Sequence, residues 1–248
     1  MKIVVDEKRF KRMALVSRAL LFGSIGVLLL ALALTLFGPQ LGLLRPDNAG
    51  LFFALYTVLL LAGFIISRIG FHFGKRYLSP NRPDLVLRDS LKGLDRKYAL
   101  LLFKGLTDYL LVEPGGLTVF VVRGQDGKVT YREGKWKRRE SFLRYWFGRD
   151  EPLGDPIEDL KEELGRVSKV LSDKLPDLKV PVRGIVVFSH PKAALDVEAA
   201  PFPILRAEDL KDYLRGEGRM KDLPNSIQRR MREAVGAPEL PRPEAAGG

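Results

Sequence analysis

Two long apolar runs near the N-terminus constrain this chain more than any other feature. They cover Ala19–Phe37 and Leu51–Ile69, and Arg68 is the only charged residue in either run. A bilayer core of about 30 Å needs roughly 20 apolar residues in a helix that rises about 1.5 Å per residue. The connecting segment Gly38–Gly50 is short and rich in turn formers. The pattern therefore predicts a transmembrane helical hairpin.

The distribution of positive charge predicts the orientation of this hairpin. Lysine and arginine are frequent before the first run and again after the second, whereas the connecting segment carries only Arg45. The positive-inside rule then predicts a two-span protein of the cell membrane with both termini in the cytoplasm. A cleaved signal peptide is the competing interpretation of the first run. No small-residue cleavage site follows Phe37, however, and a second apolar run does.

Neither run contains an acidic residue, a histidine or a lysine, so a proton relay or ion path through the hairpin is not predicted. Gly23, Gly26 and Gly63 are candidates for close contact between helices. The chain also has no cysteine, which excludes disulfides, thiolate metal sites and a cysteine nucleophile. The hairpin is therefore interpreted as an anchor for the remainder of the chain.

The predicted organisation has five parts. They are a basic cytoplasmic N-terminus at 1–18, the transmembrane hairpin at 19–76, a linker at 77–83, a soluble domain at 84–216, and a short helix with a disordered tail at 217–248. The soluble part is long enough to bury its own core.

The soluble domain shows a readable series of helix and strand signals. Apolar residues at helical spacing predict a first helix over Asp84–Phe103. In the second predicted helix, from Asp155 to Leu175, Asp155 is an N-cap, Pro156 suits the first turn and Glu158 completes a capping box. Strands are predicted at Asp108–Val112, Leu117–Val122, Val129–Tyr131, Pro181–Phe188 and Pro203–Leu205, and further helices at Glu208–Leu214 and Ser226–Val235. The leading elements give the order αβββαβ.

This order and several local sequences resemble the nuclease-related domain (NERD) family, which has the PD-(D/E)xK nuclease-like fold. The resemblance covers Leu94–Leu214. Its motifs match Asp108 before a strand, the turn at Gly115–Gly116 and the strand that ends at Arg123, and then Gly127–Val129, Trp136 and Asp155–Asp159. An anchored domain of this kind also resembles a group of bacterial membrane proteins. The resemblance implies an α+β fold, with a restriction-endonuclease-like αβββαβ domain following the hairpin.

The chain departs from the family at the positions that carry catalysis. The family glutamate is replaced by Val121 and the family lysine by Arg123, while Asp108 keeps the metal-binding aspartate and Asp95 loosely matches the first-helix glutamate. Hydrolysis with Mg²⁺ needs several oxygen ligands and a group that activates water. Valine offers no ligand, and arginine does not act as a base. The resemblance thus implies a degenerate site without a bound cofactor, unless Glu113 or Asp95 supplies the missing carboxylate for Mg²⁺.

A basic stretch with interspersed aromatic residues follows the predicted strands. Such a composition suits nucleic-acid phosphates and bases, and it suits the anionic inner leaflet of a membrane equally. An inert solvated loop is the third interpretation. The candidate contact residues are Lys128, Arg132, Lys135, Trp136, Lys137, Arg138, Arg139 and Arg144.

Three functional hypotheses follow. The leading one is a catalytically inactive binding or scaffolding module that faces the cytoplasm, with the lipid bilayer as partner and with anionic headgroups or nucleic acid as ligand. The second is an active Mg²⁺-dependent nuclease whose carboxylate has migrated. The third is a regulatory subunit of another membrane protein, which is suggested by the anchor alone.

Overall fold

The computed structural model describes the chain except for residues 39, 41, 43–48, 79–81, 105, 139–151 and 241–248. It is a mixed α+β structure that begins with two long apolar helices. The helices are α1 (Glu7–Phe37), α2 (Ala49–Tyr77), α3 (Pro83–Ser90), α4 (Pro156–Lys174), α5 (Leu210–Arg215) and α6 (Asn225–Ala234). The strands are β1 (Lys2–Val5), β2 (Ala99–Leu102), β3 (Tyr109–Glu113), β4 (Gly116–Arg123), β5 (Gly127–Arg132), β6 (Lys135–Arg138), β7 (Val182–Phe188), β8 (Ala193–Val197) and β9 (Ile204–Arg206).

The chain divides into two compact units. One unit comprises Lys8–Arg82, and the other combines Met1–Glu7 with Pro83–Gly248. The first seven residues therefore belong to the larger unit, although they precede α1 in the sequence. We call the two parts the hairpin unit and the α/β unit.

Within the hairpin unit, two helical segments are long and apolar enough to cross a membrane. They cover Phe10–Phe37, with mean hydropathy 2.6, and Ala49–Phe71, with mean hydropathy 2.4. Most of each segment is exposed, since only 11% of the first window and 6% of the second are buried. This exposure distinguishes them from the core helices of a soluble protein, which bury their apolar faces.

Small residues line the contact between α1 and α2. Ser17, Ser24 and Ala31 of α1 recur every seven residues and are at most 3% exposed. On α2, a Cβ added to Gly63 would lie 3.0 Å from Leu28, and one added to Gly70 would lie 3.2 Å from a backbone nitrogen of α1. The expectation for Gly63 agrees with this packing. The expectation for Gly23 and Gly26 is wrong, because a Cβ at either position would meet nothing within 4 Å.

The α/β unit is built on a six-stranded sheet in the order β1-β2-β3-β4-β7-β9. Strands β2, β3 and β4 form an antiparallel meander. Strand β7 pairs parallel to β4 after the crossover through α4, and β9 continues parallel to β7. A second sheet has the order β6-β5-β8. Helix α4 packs its apolar stripe on β4 and β7, and Leu160 approaches so closely that a Cβ on Gly184 would lie 2.7 Å from it.

The second predicted helix agrees closely with α4. The Asp155 carboxylate accepts hydrogen bonds from the backbone N–H groups of Ile157 (3.0 Å) and Glu158 (3.1 Å), which is an N-cap, and Pro156 occupies the first turn. The predicted role of Glu158 in a capping box is wrong, because its carboxylate accepts instead from Lys161 at 2.9 Å.

Three expectations about the α/β unit need correction. The helix predicted over Asp84–Phe103 ends at Ser90, and the apolar run Ala99–Leu102 is instead the buried strand β2, because a short run buried on both faces has no helical or strand period. The predicted strand Val129–Tyr131 belongs to the second sheet, not to the meander. Residues 1–18 are not a separate segment, since β1 pairs parallel with β2 from Lys2↔Ala99 to Val5↔Leu102.

Candidate functional site

The family-matched positions Asp108, Val121 and Arg123 lie at one end of the meander. Strand β3 begins directly after Asp108, and β4 ends at Arg123. Since Leu110 pairs with Val119, the same register continued by two residues sets Asp108 opposite Val121. This extrapolated register places Asp108 next to Val121, the two positions that the family resemblance assigns to a metal-binding aspartate and a catalytic glutamate.

The side chains at this end differ from a metal-binding set. Val121 is 6% exposed, forms part of the apolar core and pairs with Val186 of β7. Arg123 donates from Nη2 to a carboxylate oxygen of Asp159 on α4. Its Nε is buried without a hydrogen-bond partner among the described residues. Arg123 is thus held in an ion pair with α4.

Asp95 does not join this site. It lies in the exposed segment before β2, where its carboxylate accepts from the backbone N–H of Lys97 at 3.3 Å. Because β2 and β3 are antiparallel, with Ala99 opposite Val112, Asp95 and Asp108 lie beyond opposite ends of β2. The expected match of Asp95 to a ligand of the same site is therefore wrong.

Glu113 is also remote from Asp108. The two residues are at opposite ends of β3, which corresponds to about 16 Å at roughly 3.3 Å per residue. Glu113 therefore does not replace the missing carboxylate in this structure. Among the described residues, no group of three or more histidine, cysteine or acidic side chains is placed to hold a metal ion.

Glu113 instead forms a buried ion pair that the sequence analysis missed. Its carboxylate is 2% exposed and accepts from Arg183 Nη2 at 2.9 and 3.1 Å and from the Thr118 hydroxyl. Arg183 Nε donates to Thr118 Oγ1 at 2.7 Å, and Nη1 donates to the carbonyl of Gly218. Burial raises the pKa of Glu113, while Arg183 and Thr118 oppose that rise.

The cluster of Glu113, Thr118 and Arg183 lies at the end of the large sheet opposite Asp108, and Arg183 binds the segment around Gly218 there. Thr118 and Arg183 are direct partners on the parallel strands β4 and β7. They are far apart in the sequence, so their proximity requires the register of the two strands. A charged residue inside the apolar strand β7 was the only signal available beforehand.

The candidate contact residues of the basic stretch are divided between two faces of the second sheet. Alternation along β5 and β6 sets Lys128, Arg132, Lys135 and Lys137 on an exposed face, which we call the outer basic face. Trp136 and Arg138 lie on the opposite, inner face. Arg139 and Arg144 lie outside the described residues.

The inner-face residues have structural partners. Trp136 packs against Tyr131, with ring centroids 4.8 Å apart, and against Phe188 of the large sheet at 6.2 Å. Its Nε1 donates to Asp155 Oδ1 at 3.2 Å. The Arg138 side chain is 3% exposed and donates to the Asp126 carboxylate at 2.7 Å. Trp136 therefore joins the second sheet to the large sheet and α4, Arg138 ties β6 to the residue before β5, and neither presents a ligand surface.

The outer-face residues are partly compensated by β8. Asp196 lies 2.9 Å from Lys128 and 3.1 Å from Arg132, and Arg132 is also 3.2 Å from Glu198. The hydrogen bonds from Lys128 and Arg132 lower the pKa of Asp196. Lys135 and Lys137 are exposed and form no ion pair with any residue that the structure describes. Polar and apolar residues alternate strictly from Lys128 to Arg132 in the sequence, and this alternation predicts which residues lie on each face.

No known protein family, characterised protein or solved structure is detectably similar to this chain. A function is therefore inferred from three features of the molecule itself: the two ends of the large sheet, the outer basic face and the apolar helices.

Proposed function

We propose that this chain is a membrane-anchored, non-catalytic binding module with a degenerate nuclease-related domain on the cytoplasmic side of the cell membrane. The proposal rests mainly on the environment of Val121 and Arg123 at the end of β4. Val121 is part of the core, and Arg123 is bound to Asp159 where a nuclease needs a metal ligand and a water-activating group.

The connectivity of the α/β unit supports a nuclease-related origin. Helix α3 is followed by the antiparallel meander β2–β4, and α4 then crosses to β7 beside β4. If β1 is treated as an addition and the β5–β6 hairpin as an insertion, this connectivity is compatible with the order αβββαβ that the family resemblance implies. The first of the three strands is β2, so Asp108 precedes the second strand, where the family aspartate is expected.

The loss of catalysis follows from the chemistry of the replaced residues. A single carboxylate at Asp108 binds Mg²⁺ weakly because that ion requires a near-octahedral set of oxygen ligands. A guanidinium group that is paired with Asp159 remains protonated and neither coordinates a cation nor accepts a proton from water. The proposed site thus keeps the two strand ends and Asp108 but lacks the second metal ligand and the water-activating group.

The anchor is supported by exposure and by the position of β1. The strongly exposed large apolar side chains among the described residues all lie in α1 and α2, except Ile3 and Val5. Strand β1 precedes the hairpin unit and pairs with β2, which follows it, so both ends of that unit must emerge on one side of a membrane. Cleavage after Phe37 would remove this strand, which argues against a signal peptide. The positive-inside rule makes that side cytoplasmic.

The catalytic part of the proposal is tested with the purified full chain in lipid nanodiscs. Single-stranded DNA, duplex DNA and RNA are incubated with Mg²⁺ or Mn²⁺, and Asp108→Ala serves as the matched control. We expect no metal-dependent cleavage above the level of this variant. Cleavage by the original chain that Asp108→Ala abolishes would overturn the non-catalytic assignment.

The topological part is tested with single cysteines, because the natural chain has none. Asp47→Cys, between the helices, and Ser172→Cys, on α4, are exposed to an impermeant maleimide in intact cells. We expect Asp47→Cys to be labelled directly and Ser172→Cys only after the membrane is permeabilised. Labelling of both positions in intact cells would contradict a cytoplasmic α/β unit.

A further inference from the structure

The outer basic face has a simple composition. Its side chains come from three adjacent strands, in which Thr130 of β5 is paired with Lys137 of β6 and with Asp196 of β8. Lys128 and Arg132 flank Thr130 along β5, and Lys135 lies opposite Arg132. The face therefore carries four cations on β5 and β6 and one carboxylate, Asp196, on β8, and Glu198 lies directly beyond β8.

The paired and unpaired cations are spatially separated. Asp196 and Glu198 compensate Lys128 and Arg132, which lie next to β8. Lys135 and Lys137 lie on β6, at the far edge of the second sheet, with no ion pair among the described residues. Excess positive charge is thus concentrated along β6.

The position of the aromatic residues decides what kind of anion this face suits. Single-stranded nucleic acids are bound by grooves that combine cations with aromatic side chains on which bases stack. Here Tyr131 is buried and Trp136 packs on Phe188, both on the inner face. The described outer face offers exposed ammonium groups without an aromatic side chain on which a base could stack. Such a surface binds a diffuse layer of negative charge better than it binds bases.

We propose that the outer basic face, through Lys135 and Lys137 above all, contacts the anionic lipid headgroups of the bilayer that holds α1 and α2. This inference rests on the proposed membrane anchorage. The α/β unit is joined to the hairpin unit at Glu7 and again at Pro83, so two tethers keep it close to such a surface. Each lysine or arginine near an anionic leaflet adds a favourable electrostatic contribution that salt screens.

The test uses the full chain in nanodiscs with and without anionic phosphatidylglycerol. Ala194→Cys is exposed on the outer face beside Lys128, and Ser172→Cys on α4 is its control. Each cysteine carries a fluorophore, and a headgroup-attached quencher reports its proximity to lipid. We expect stronger quenching at position 194 than at 172, present only with the anionic lipid and reduced by high salt. Equal quenching at the two positions, or quenching that neutral lipid supports equally, would overturn the proposal.

Charge reversal identifies the residues responsible. The double variant Lys135→Glu/Lys137→Glu is compared with Lys169→Glu/Lys179→Glu, which has the same net charge but alters exposed positions in and beyond α4. Removal of two surface cations alone weakens contact of the face with the anionic bilayer approximately 30-fold, at about fivefold each, and the added carboxylates weaken it further. Quenching at position 194 should therefore fall to the level at position 172. Lys135→Arg/Lys137→Arg should retain the quenching at position 194. Equal effects of the two reversal variants would contradict a role for β6.

Two further measurements separate this inference from its premise. Extraction with alkaline carbonate shows whether the chain is integrated in the membrane, and release of the chain would refute the anchorage itself. A retained chain without quenching at position 194 would refute only the lipid contact. Binding of single-stranded DNA that depends on Lys135 and Lys137 and displaces the face from lipid would assign the face to nucleic acid instead.

Discussion

The hairpin unit and the α/β unit place their side chains in opposite ways. In the hairpin unit, large apolar residues such as Leu29 and Phe53 are 59% exposed, while the buried seam consists of Ser17, Ser24 and Ala31. In the α/β unit, leucine, valine and phenylalanine fill the interior and charged residues cover the surface. The two patterns suit different solvents, because helices in lipid gain little from burying apolar surface and associate through close packing of small residues.

The two units also treat buried polar groups differently. The hydroxyls of Ser17 and Ser24 donate to carbonyls of their own helix, at 2.8 Å each, so the seam needs no partner across the interface. The α/β unit instead buries Glu113 with Arg183 from another strand. The two hydroxyls are therefore satisfied whatever the contact between the helices, whereas the ion pair depends on one strand register. Substitutions that affect one unit and spare the other test this difference.

The largest effect is expected from Arg183→Leu in the α/β unit. Removing one partner of a buried ion pair leaves the other charge without compensation, which costs about 3–5 kcal/mol of unfolding free energy. The double variant Glu113→Leu/Arg183→Leu should recover a large part of that loss. Tryptophan fluorescence during denaturation measures it selectively, because both tryptophans of the chain lie outside the hairpin unit, at positions 136 and 146. An unchanged denaturation midpoint for Arg183→Leu would contradict the role of the pair.

A charge in the middle of the lipid-facing surface should affect the hairpin unit next. Leu29→Asp places a carboxylate near the centre of α1, which costs about 3 kcal/mol for membrane insertion. Ser172→Asp, on the exposed surface of α4, should be neutral. The fraction of chain resistant to alkaline carbonate measures insertion. If the two variants were equally resistant to alkaline carbonate, α1 would not face lipid at Leu29, and the distinction between the surfaces of α1 and α4 would be wrong.

Overpacking of the seam should have a smaller effect, confined to the hairpin unit. Gly70→Leu forces a side chain against the backbone of α1, because a Cβ added at this position would lie 3.2 Å from the amide nitrogen of Leu21. We expect the hairpin unit to lose about 1–3 kcal/mol of stability. Gly23→Leu is the control because its Cβ meets nothing within 4 Å. Loss of helical circular dichroism on heating should come earlier for Gly70→Leu only, with the tryptophan signal unchanged. Similar melting of both variants would contradict the seam.

The smallest effect is the pH dependence that Glu113 contributes. Its pKa is raised in the folded protein, mainly by burial, so the folded state retains a proton that the unfolded chain releases near pH 4.5. The stabilising contribution is complete below that pH and is lost as the pH rises through the folded pKa. Unfolding free energy should therefore decline over that interval in the original chain. Glu113→Gln should remove this component, and an identical slope in the two proteins would refute the assignment.

Features with local signals were predictable from the sequence. The hairpin follows from the length of two apolar runs, and α4 follows from Asp155, Pro156 and an apolar stripe with helical period. Strand β2 was missed because four consecutive buried apolar residues fit a helix equally well. Strand β1 was missed because its partner lies beyond the hairpin unit, where no local pattern indicates it.

The candidate site was predictable only in part. The family resemblance singled out Asp108 and Val121 from the sequence, and the register of β3 and β4, continued by two residues, sets them opposite each other. The ion pair of Arg123 with Asp159 and that of Glu113 with Arg183 required the packing of α4 and β7 on the sheet. The composition of the basic stretch predicted one continuous contact surface. Strand pairing instead divides its described residues between an inner and an outer face.

The pairing of β1 with β2 makes assembly of the sheet depend on the path of the chain. Residues 2–5 are synthesised first, yet their partner follows both apolar helices. In the proposed topology, a chain with only one helix across the bilayer would leave β1 on the wrong side and β2 as an open, apolar edge prone to aggregation. Pairing of β1 with β2 in an anchored molecule therefore requires both helices to cross, because a single crossing separates the two strands.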